Sequence, residues 1–537
     1  MRPRSQMRLP FQASGAFVQA IKKFRMLRET SVYMALVIFC VLLCMSPAGL
    51  RGEESYSIRH YDLKIEPDFR SKVLMLGATI DIDNPSFEES FSFGLNDGYD
   101  QVNVTSPFSP VSFERTGGTI TVKMRHPSAK LLLSFVLKGR IGRSGDENRD
   151  IIADSSLFLL WSDRFYPIDF DHWATVRSEV VLPAGFQVIA PGRLTKVDRL
   201  SNATRFVFES TVPTVNFSVF ADPRWMRTER RVNGILMQTL LYPQSQRFSE
   251  QIFKTSSEIL AYFSSVMCPY PFEQFSFVTI DSTYARRAFP GFVGYEPRYL
   301  EKEFASTGHD AHETSLLWWG YTTHGSGPGN FQWTEGFGDY VEILYDEAYH
   351  KPVPQIFERF RAEYLALPAE QDIPYTELRG NTPQKIVHGK YPWLMHIVRY
   401  MVGDSAFVHA LELVFKRFRH RTFSMEEFIT TMEDGCEQSL QWWRREWLER
   451  KGVPDIVMNS EVTKSGGVYQ VTCIFEQRGN VYHIPLEVGV ETPRGLHIEK
   501  ISLSAPRETF TFESTQEPTR VTLDPKKWVL MRVASSR

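Results

Sequence analysis

Hydrophobic and polar positions change rhythm twice along the chain. From residue 53 to about 225, apolar residues alternate with polar ones or form short runs, as in Val73–Ile82, Thr119–Met124, Leu131–Leu137, Phe206–Phe208 and Asn216–Ala221. Asn-Pro, Gly-Gly and Pro-Ala-Gly separate these pieces, which therefore read as strands joined by turns. An antiparallel sandwich or saddle-shaped sheet is expected. From about 226 the spacing becomes helical: Ser249–Ser265 carries Ile252, Ile259, Leu260 and Phe263 on one stripe. Ser424-Met425-Glu426-Glu427 predicts a capping box, with Phe423 and Phe428 as its hydrophobic staple. Ala406–Phe418 and Ser439–Arg450 read as further amphipathic helices. After Gly452-Val453-Pro454 the strand pattern returns in Val468–Phe475, Ile484–Glu491 and Glu508–Glu513. The predicted order is an N-terminal antiparallel β-domain (53–225), a mostly helical domain (226–454) and a small C-terminal β-sandwich (455–537).

The first 52 residues stand apart. Lys22, Lys23, Arg25 and Arg28 precede an unbroken apolar run, Val32–Met45, of 14 residues. That is the length of a signal-peptide core and short for a membrane span. Ser46-Pro47-Ala48 offers small residues for cleavage after Ala48, the preferred reading; an uncleaved anchor extending to Leu50 is the alternative. Either way the body is expected outside the cytoplasm, touching membrane only through this segment.

Composition narrows the picture further. A chain of 537 residues exceeds one hydrophobic core, so several domains are expected. A formal net charge of −2 gives no footprint for a nucleic-acid partner. Outside the N-terminal segment the cysteines are Cys268, Cys436 and Cys473, too few and too scattered for a disulfide framework or a cysteine zinc site.

The candidate chemistry sits at His312-Glu313-Thr314-Ser315-Leu316 and Glu335-Gly336-Phe337. Two histidines one helical turn apart grip a zinc ion, and a glutamate beside the first activates the bound water. Here the histidine expected at the second position is Leu316. After Leu316, eighteen intervening residues lead to Glu335, and Trp318-Trp319-Gly320 follows the first motif. In this spacing the chain resembles the membrane alanyl aminopeptidases, zinc peptidases of the gluzincin type. Phe165-Tyr166-Pro167, Met395–Arg399 and Trp443 with Trp447 extend the likeness over most of the body.

The resemblance implies a thermolysin-like α+β catalytic-type domain and zinc as cofactor. It implies His312 and Glu335 as metal ligands and Glu313 as the water-activating base. His388 stands two residues before Lys390, where the family has the oxyanion-stabilising tyrosine. The amine-clamping motif has its nearest counterpart in Gly291-Phe292-Val293-Gly294-Tyr295, which lacks the clamping glutamate; Gly291, Gly294 and Tyr295 are the expected substrate contacts. Two ligands make a poor zinc site. Two readings follow. In one, peptidase activity is lost or strongly reduced and the cleft binds a peptide or protein partner. In the other, an active metallopeptidase rebuilds its metal shell with His309 or His324.

Overall fold

The first seven strands are β1 (Ser57–Asp68), β2 (Val73–Asp83), β3 (Ser90–Gly94), β4 (Tyr99–Thr105), β5 (Val111–Thr116), β6 (Thr119–Met124) and β7 (Lys130–Gly139), and period-two burial is plainest in β2, β3, β6 and β7. In β2, for instance, Leu74, Leu76, Ala78, Ile80 and Ile82 are buried and the residues between them are not. The computed structural model describes residues 55–143, 146–280, 286–306, 309–327, 329–349, 351–379 and 382–534. The apolar run Val32–Met45 lies outside the described residues. Among the described residues, no helix is long and apolar enough to cross a membrane.

A seven-stranded sheet runs in the order Arg193–Arg199, Ala203–Thr214, Ala174–Pro183, β1, β2, β7, β4. The expectation of a purely antiparallel domain needs correction here, because β1 pairs parallel with Ala174–Pro183. Alternation reports which face a residue takes and is blind to strand direction; the long stretch between these two strands gives the chain room to return parallel. A smaller sheet, β3–β6–β5, stands beside it. Inward-facing residues such as Leu63, Ile65, Leu133 and Phe135 fill the core between the strands.

A second sheet carries the functional region. Its order is Met226–Val232, Ile235–Leu241, Gln274–Thr279, Phe292–Tyr295, Arg286–Phe289. The inner strands pair parallel, and Arg286–Phe289 closes the edge as an antiparallel hairpin arm. Phe220 packs edge-on against Phe289 and Phe292, at 4.9 and 5.5 Å, and joins this sheet to the β-rich region. The helices are α1 (Ser249–Val266), α2 (Pro297–Ser306), α3 (Ala311–Ser315), α4 (Asn330–Ala348), α5 (Val353–Leu365), α6 (Gln384–Val387), α7 (Tyr391–Val402), α8 (Asp404–Arg417) and α9 (Met425–Cys436). The capping box forms at α9: Ser424 Oγ accepts from the Glu427 N–H, and Glu427 accepts from the Ser424 N–H. The Phe423 and Phe428 rings stack at 5.7 Å. Ser439–Arg450 is not one regular helix: a short α-turn, Gln441–Trp443, passes into a π-turn, Arg444–Leu448. The wider turn keeps Trp443 and Trp447, four positions apart, both buried.

The last strands form two sheets. One runs Arg507–Ser514, Val468–Arg478, Asp455–Ser465, Arg532–Val533, and the other Gly495–Leu503, Ile484–Thr492, Arg520–Leu523. Cys436 and Cys473 are buried and Cys268 is half-buried, all three as free thiols.

Candidate functional site

Helix α4 explains why the site assembles. Glu335, Asp339, Glu342 and Asp346 recur along it at spacings of four, three and four, so one helical face is acidic. That face meets α3 and the residues just before it. His312 Nε2 lies 3.3 Å from Glu335 Oε2, and its Nδ1 lies 2.9 Å from Asp339 Oδ1. The second contact is a close ion pair lacking the alignment of a hydrogen bond. His309 Nε2 meets Asp346 Oδ1 at 2.9 Å.

Asp339 serves two imidazoles. Its Oδ2 is 2.7 Å from Nδ1 of His388, which follows α6, and His388 Nε2 reaches Gln384 Oε1 at 2.9 Å. Burial opposes charge on His312, yet Asp339 and Glu335 outweigh it and hold the imidazole well above its ordinary range. Burial likewise opposes charge on His388, and Asp339 again wins and raises it. Burial acts against the Asp339 carboxylate too, but the two histidines pull its pKa down to about 2. The result is a buried chain of charges, Glu335, His312, Asp339, His388, with the His388 ring half-open to the cleft.

The cleft has a volume of about 640 Å³ and is lined by His312, Glu313, Leu316, Glu335, His324 and His388, among others. Leu316 belongs to the apolar core and is 7% exposed. A Cβ built on Gly338 of α4 would stand 3.0 Å from Leu316 Cδ2 and 3.3 Å from His312 Cε1. The isobutyl group thus lies beside the His312 ring, and Gly338 has to stay small to admit both.

Glu313 is paired with a guanidinium. Arg286 Nε lies 3.1 Å from its carboxylate, and Arg286 also reaches Glu303 of α2 at 3.0 Å. Burial raises the Glu313 pKa, with the guanidinium pulling it back. Burial opposes charge on Arg286, but Glu313 and its acidic neighbours keep its pKa well above the usual range.

The structure places the expected substrate contacts away from the cleft lining. Gly291 forms the hairpin turn at φ +81°, Gly294 packs against Ile280 and Phe289, and Tyr295 is fully buried and stacked on Phe277 at 4.9 Å. None of the three lines the cleft. The reason is topological: Phe292–Tyr295 is an inner strand, so only the outer arm, Arg286–Phe289, can face it. Arg286, Arg287 and Ala288 line the cleft instead. Sequence reasoning missed these arginines and the acidic stripe of α4; the stripe's spacing was the signal that could have found it.

The two alternative histidines part company. His309 turns to Asp346 and takes the Lys351 ammonium, 2.5 Å from its Nε2, so it is not brought to His312 and Glu335. His324 does line the cleft, with its ring 4.7 Å from that of Trp173 and its Nδ1 2.8 Å from the Gly325 carbonyl. Among the described residues, the donor clusters of metal-binding type are His309–Glu342–Asp346 and His312–Asp339–Glu342. Neither includes His324. A catalytic zinc needs three protein ligands and an open position. His312 and Glu335 supply two donors, the residue one turn after His312 is Leu316, which offers none, and a guanidinium pairs with the would-be base. The residues present do not fit that centre.

No protein-family profile and no curated protein matches the chain. Solved structures do. A mutant M1 zinc metallopeptidase from Deinococcus radiodurans bound to a Tyr-Ser-Ala substrate has a TM-score of 0.62 at 17% identity, covering 75% of this chain and 96% of that one. A mutant two-domain M1 zinc metallopeptidase bound to L-tryptophan matches with a TM-score of 0.63, the same identity and the same coverage. The chain therefore has the fold of the M1 zinc metallopeptidases, with its β-rich N-terminal region and helical part.

Proposed function

We propose that this chain is a degenerate relative of the zinc aminopeptidases, with peptidase activity lost or strongly reduced, whose cleft holds a peptide or a segment of a protein partner. One observation carries the reading: the Arg286 guanidinium pairs with Glu313, while Leu316, which offers no metal donor, lines the same cleft. A carboxylate held by a guanidinium is a poor proton acceptor, and without a polarised water it has little to activate. The peptide carried by the Deinococcus enzyme supports the class of ligand. So does the edge strand Arg286–Phe289, which offers an extended segment main-chain partners along one wall of the cleft. An extracytoplasmic location, secreted or held by the N-terminal apolar segment, belongs to the same reading.

The test uses the purified full-length chain. Less than stoichiometric zinc, no turnover of aminoacyl or endopeptidase substrates, and retention of peptides from a random-sequence pool are expected. Ala288→Trp, which fills the cleft wall, is expected to weaken peptide retention at least tenfold. Stoichiometric zinc lost in His312→Ala and His324→Ala, together with hydrolysis, would overturn the reading in favour of an active enzyme with a rebuilt shell.

A further inference from the structure

The register of the N-terminal strands gathers several chain ends at one edge. β1 begins at Ser57 opposite Asp83, the end of β2, and Asp83 faces Lys130, the start of β7. β3 begins at Ser90 opposite Lys123, and β5 begins at Val111 opposite Met124, the end of β6. The loops 84–89, 106–110 and 125–129 therefore leave from the same end. They are laced together. Asn84, fully buried, donates from Nδ2 to the Ser128 carbonyl at 3.2 Å and to the Glu88 carbonyl at 3.0 Å. Ser109 Oγ accepts from the His126 N–H at 2.8 Å, and the Arg125 N–H donates to Pro110 at 3.1 Å.

This rigid end presents two aromatic rings outward. Phe87 is 55% exposed and Phe108 is 54% exposed. Phe87 also has φ +57°, a left-handed conformation that a bulky residue rarely adopts. Exposure and strain both act against folding, yet the Asn84 hydrogen bonds hold the ring there. At the same end the Ser86 N–H donates to the Ser55 carbonyl at 3.3 Å, so the described chain begins beside Phe87. Met45, the last residue of the apolar run, lies ten positions before Ser55. A chain that short reaches ~35 Å at most. With the run in a bilayer, this end is held within that reach of the lipid surface.

We propose that the Phe87 and Phe108 loops form a membrane-docking tip, inserting both rings into the interfacial layer of a bilayer. The occupant is lipid because apolar rings on a braced loop end gain by leaving water there, and the tether presents them to it. Acidic Glu88 and Glu89 accompany Arg125 and Lys130 at this end, so no strong preference for anionic lipid is expected. This inference is independent of the chemistry of the cleft.

The experiment places bimane-labelled cysteines at Phe87→Cys, Phe108→Cys and, as a control on the C-terminal strands, Leu496→Cys, itself 49% exposed. The full-length chain is reconstituted in phosphatidylcholine vesicles with brominated acyl chains, and the unsubstituted chain sets the labelling background. Quenching at positions 87 and 108 is expected to exceed that at 496 by at least threefold, and Phe87→Ser in the 108-labelled chain is expected to reduce it. If the host removes the apolar run, the same quenching is read after mixing the secreted chain with the vesicles. Equal quenching at all three sites overturns the proposal. So does concentration-dependent self-quenching at 87 and 108 without lipid quenching, which would assign the tip to a second copy of the chain.

Discussion

His312 and His309 dock on the same acidic face of α4, one against Glu335 and Asp339, the other against Glu342 and Asp346. Their surroundings differ. His309 is sealed by Lys351, whose ammonium lies 3.0 Å from Asp346 and is about one-third exposed. His312 is left with no lysine and faces the cleft, and the two carboxylates beside it favour positive charge on its own ring. The comparison teaches that two similar donor clusters on one helix face can be balanced by different cations of the protein, a lysine at one and the imidazole itself at the other.

The largest test of that contrast is Asp339→Asn. It strands two imidazoles that Asp339 holds charged, and breaking a buried charge network of this kind costs ~3–5 kcal/mol. Asp346→Asn, whose lysine partner reaches water, is expected to cost ~1–2 kcal/mol. Urea denaturation midpoints of both variants decide it; equal losses would erase the distinction between the two stations. Zinc affinity sharpens it next. Leu316→His alone completes the donor set but leaves the guanidinium in place, so adding Arg286→Met is expected to tighten zinc by ~10–100-fold, read by competition with a chromophoric chelator. Equal affinities of the single and double variants would show that Arg286 plays no part.

The pH dependence is smaller. His312 has its pKa raised on folding, so its contribution is complete below the unfolded value near 6.5 and is lost as pH rises through the folded one. Asp339 is lowered to about 2, so its contribution is present above the unfolded value and is lost as pH falls through about 2. Thermal midpoints of the parent minus those of Asp339→Asn are therefore expected to peak on the acid side of neutrality, between ~4 and 6.5, and to shrink towards alkaline pH. A difference that grew at alkaline pH would refute the charged-histidine description. The smallest effect is Lys351→Met, at ~1 kcal/mol or less in the same denaturation measurement, because the ammonium it removes is already about one-third open to water and Asp346 keeps His309 Nε2 at 2.9 Å.

Much of this was legible in the chain. Period-two and helical stripes place β2, β6, α1 and α9, and the capping box follows from four letters, since these signals are local. The eighteen-residue count from Leu316 to Glu335 puts the latter on α4, 3.3 Å from His312. What escaped depends on pairing. The direction of β1 relative to Ala174–Pro183 and the inner position of Phe292–Tyr295 are set by which strands become neighbours, which no single strand encodes. Assigning the clamp to Gly291–Tyr295 and not to the outer arm hid Arg286, and with it the partner of Glu313. The acidic stripe of α4 differs: its spacing lies open in the sequence, but four carboxylates on a helix read as a solvated face until something positive is known to cover them.

The Arg286–Glu313 pair also governs how the chain can change. A three-ligand zinc centre freed of the competing guanidinium lies two substitutions away, and the order of the steps matters. Placing histidine at 316 first sets a third basic group among His312 and Arg286, with no metal gripped firmly enough to offset the repulsion. Removing Arg286 first leaves Glu313 and Glu303 facing each other without their shared cation. Each single step descends before the double change climbs. Drift within the present arrangement is therefore cheap, whereas building a three-ligand metal centre here requires both changes together.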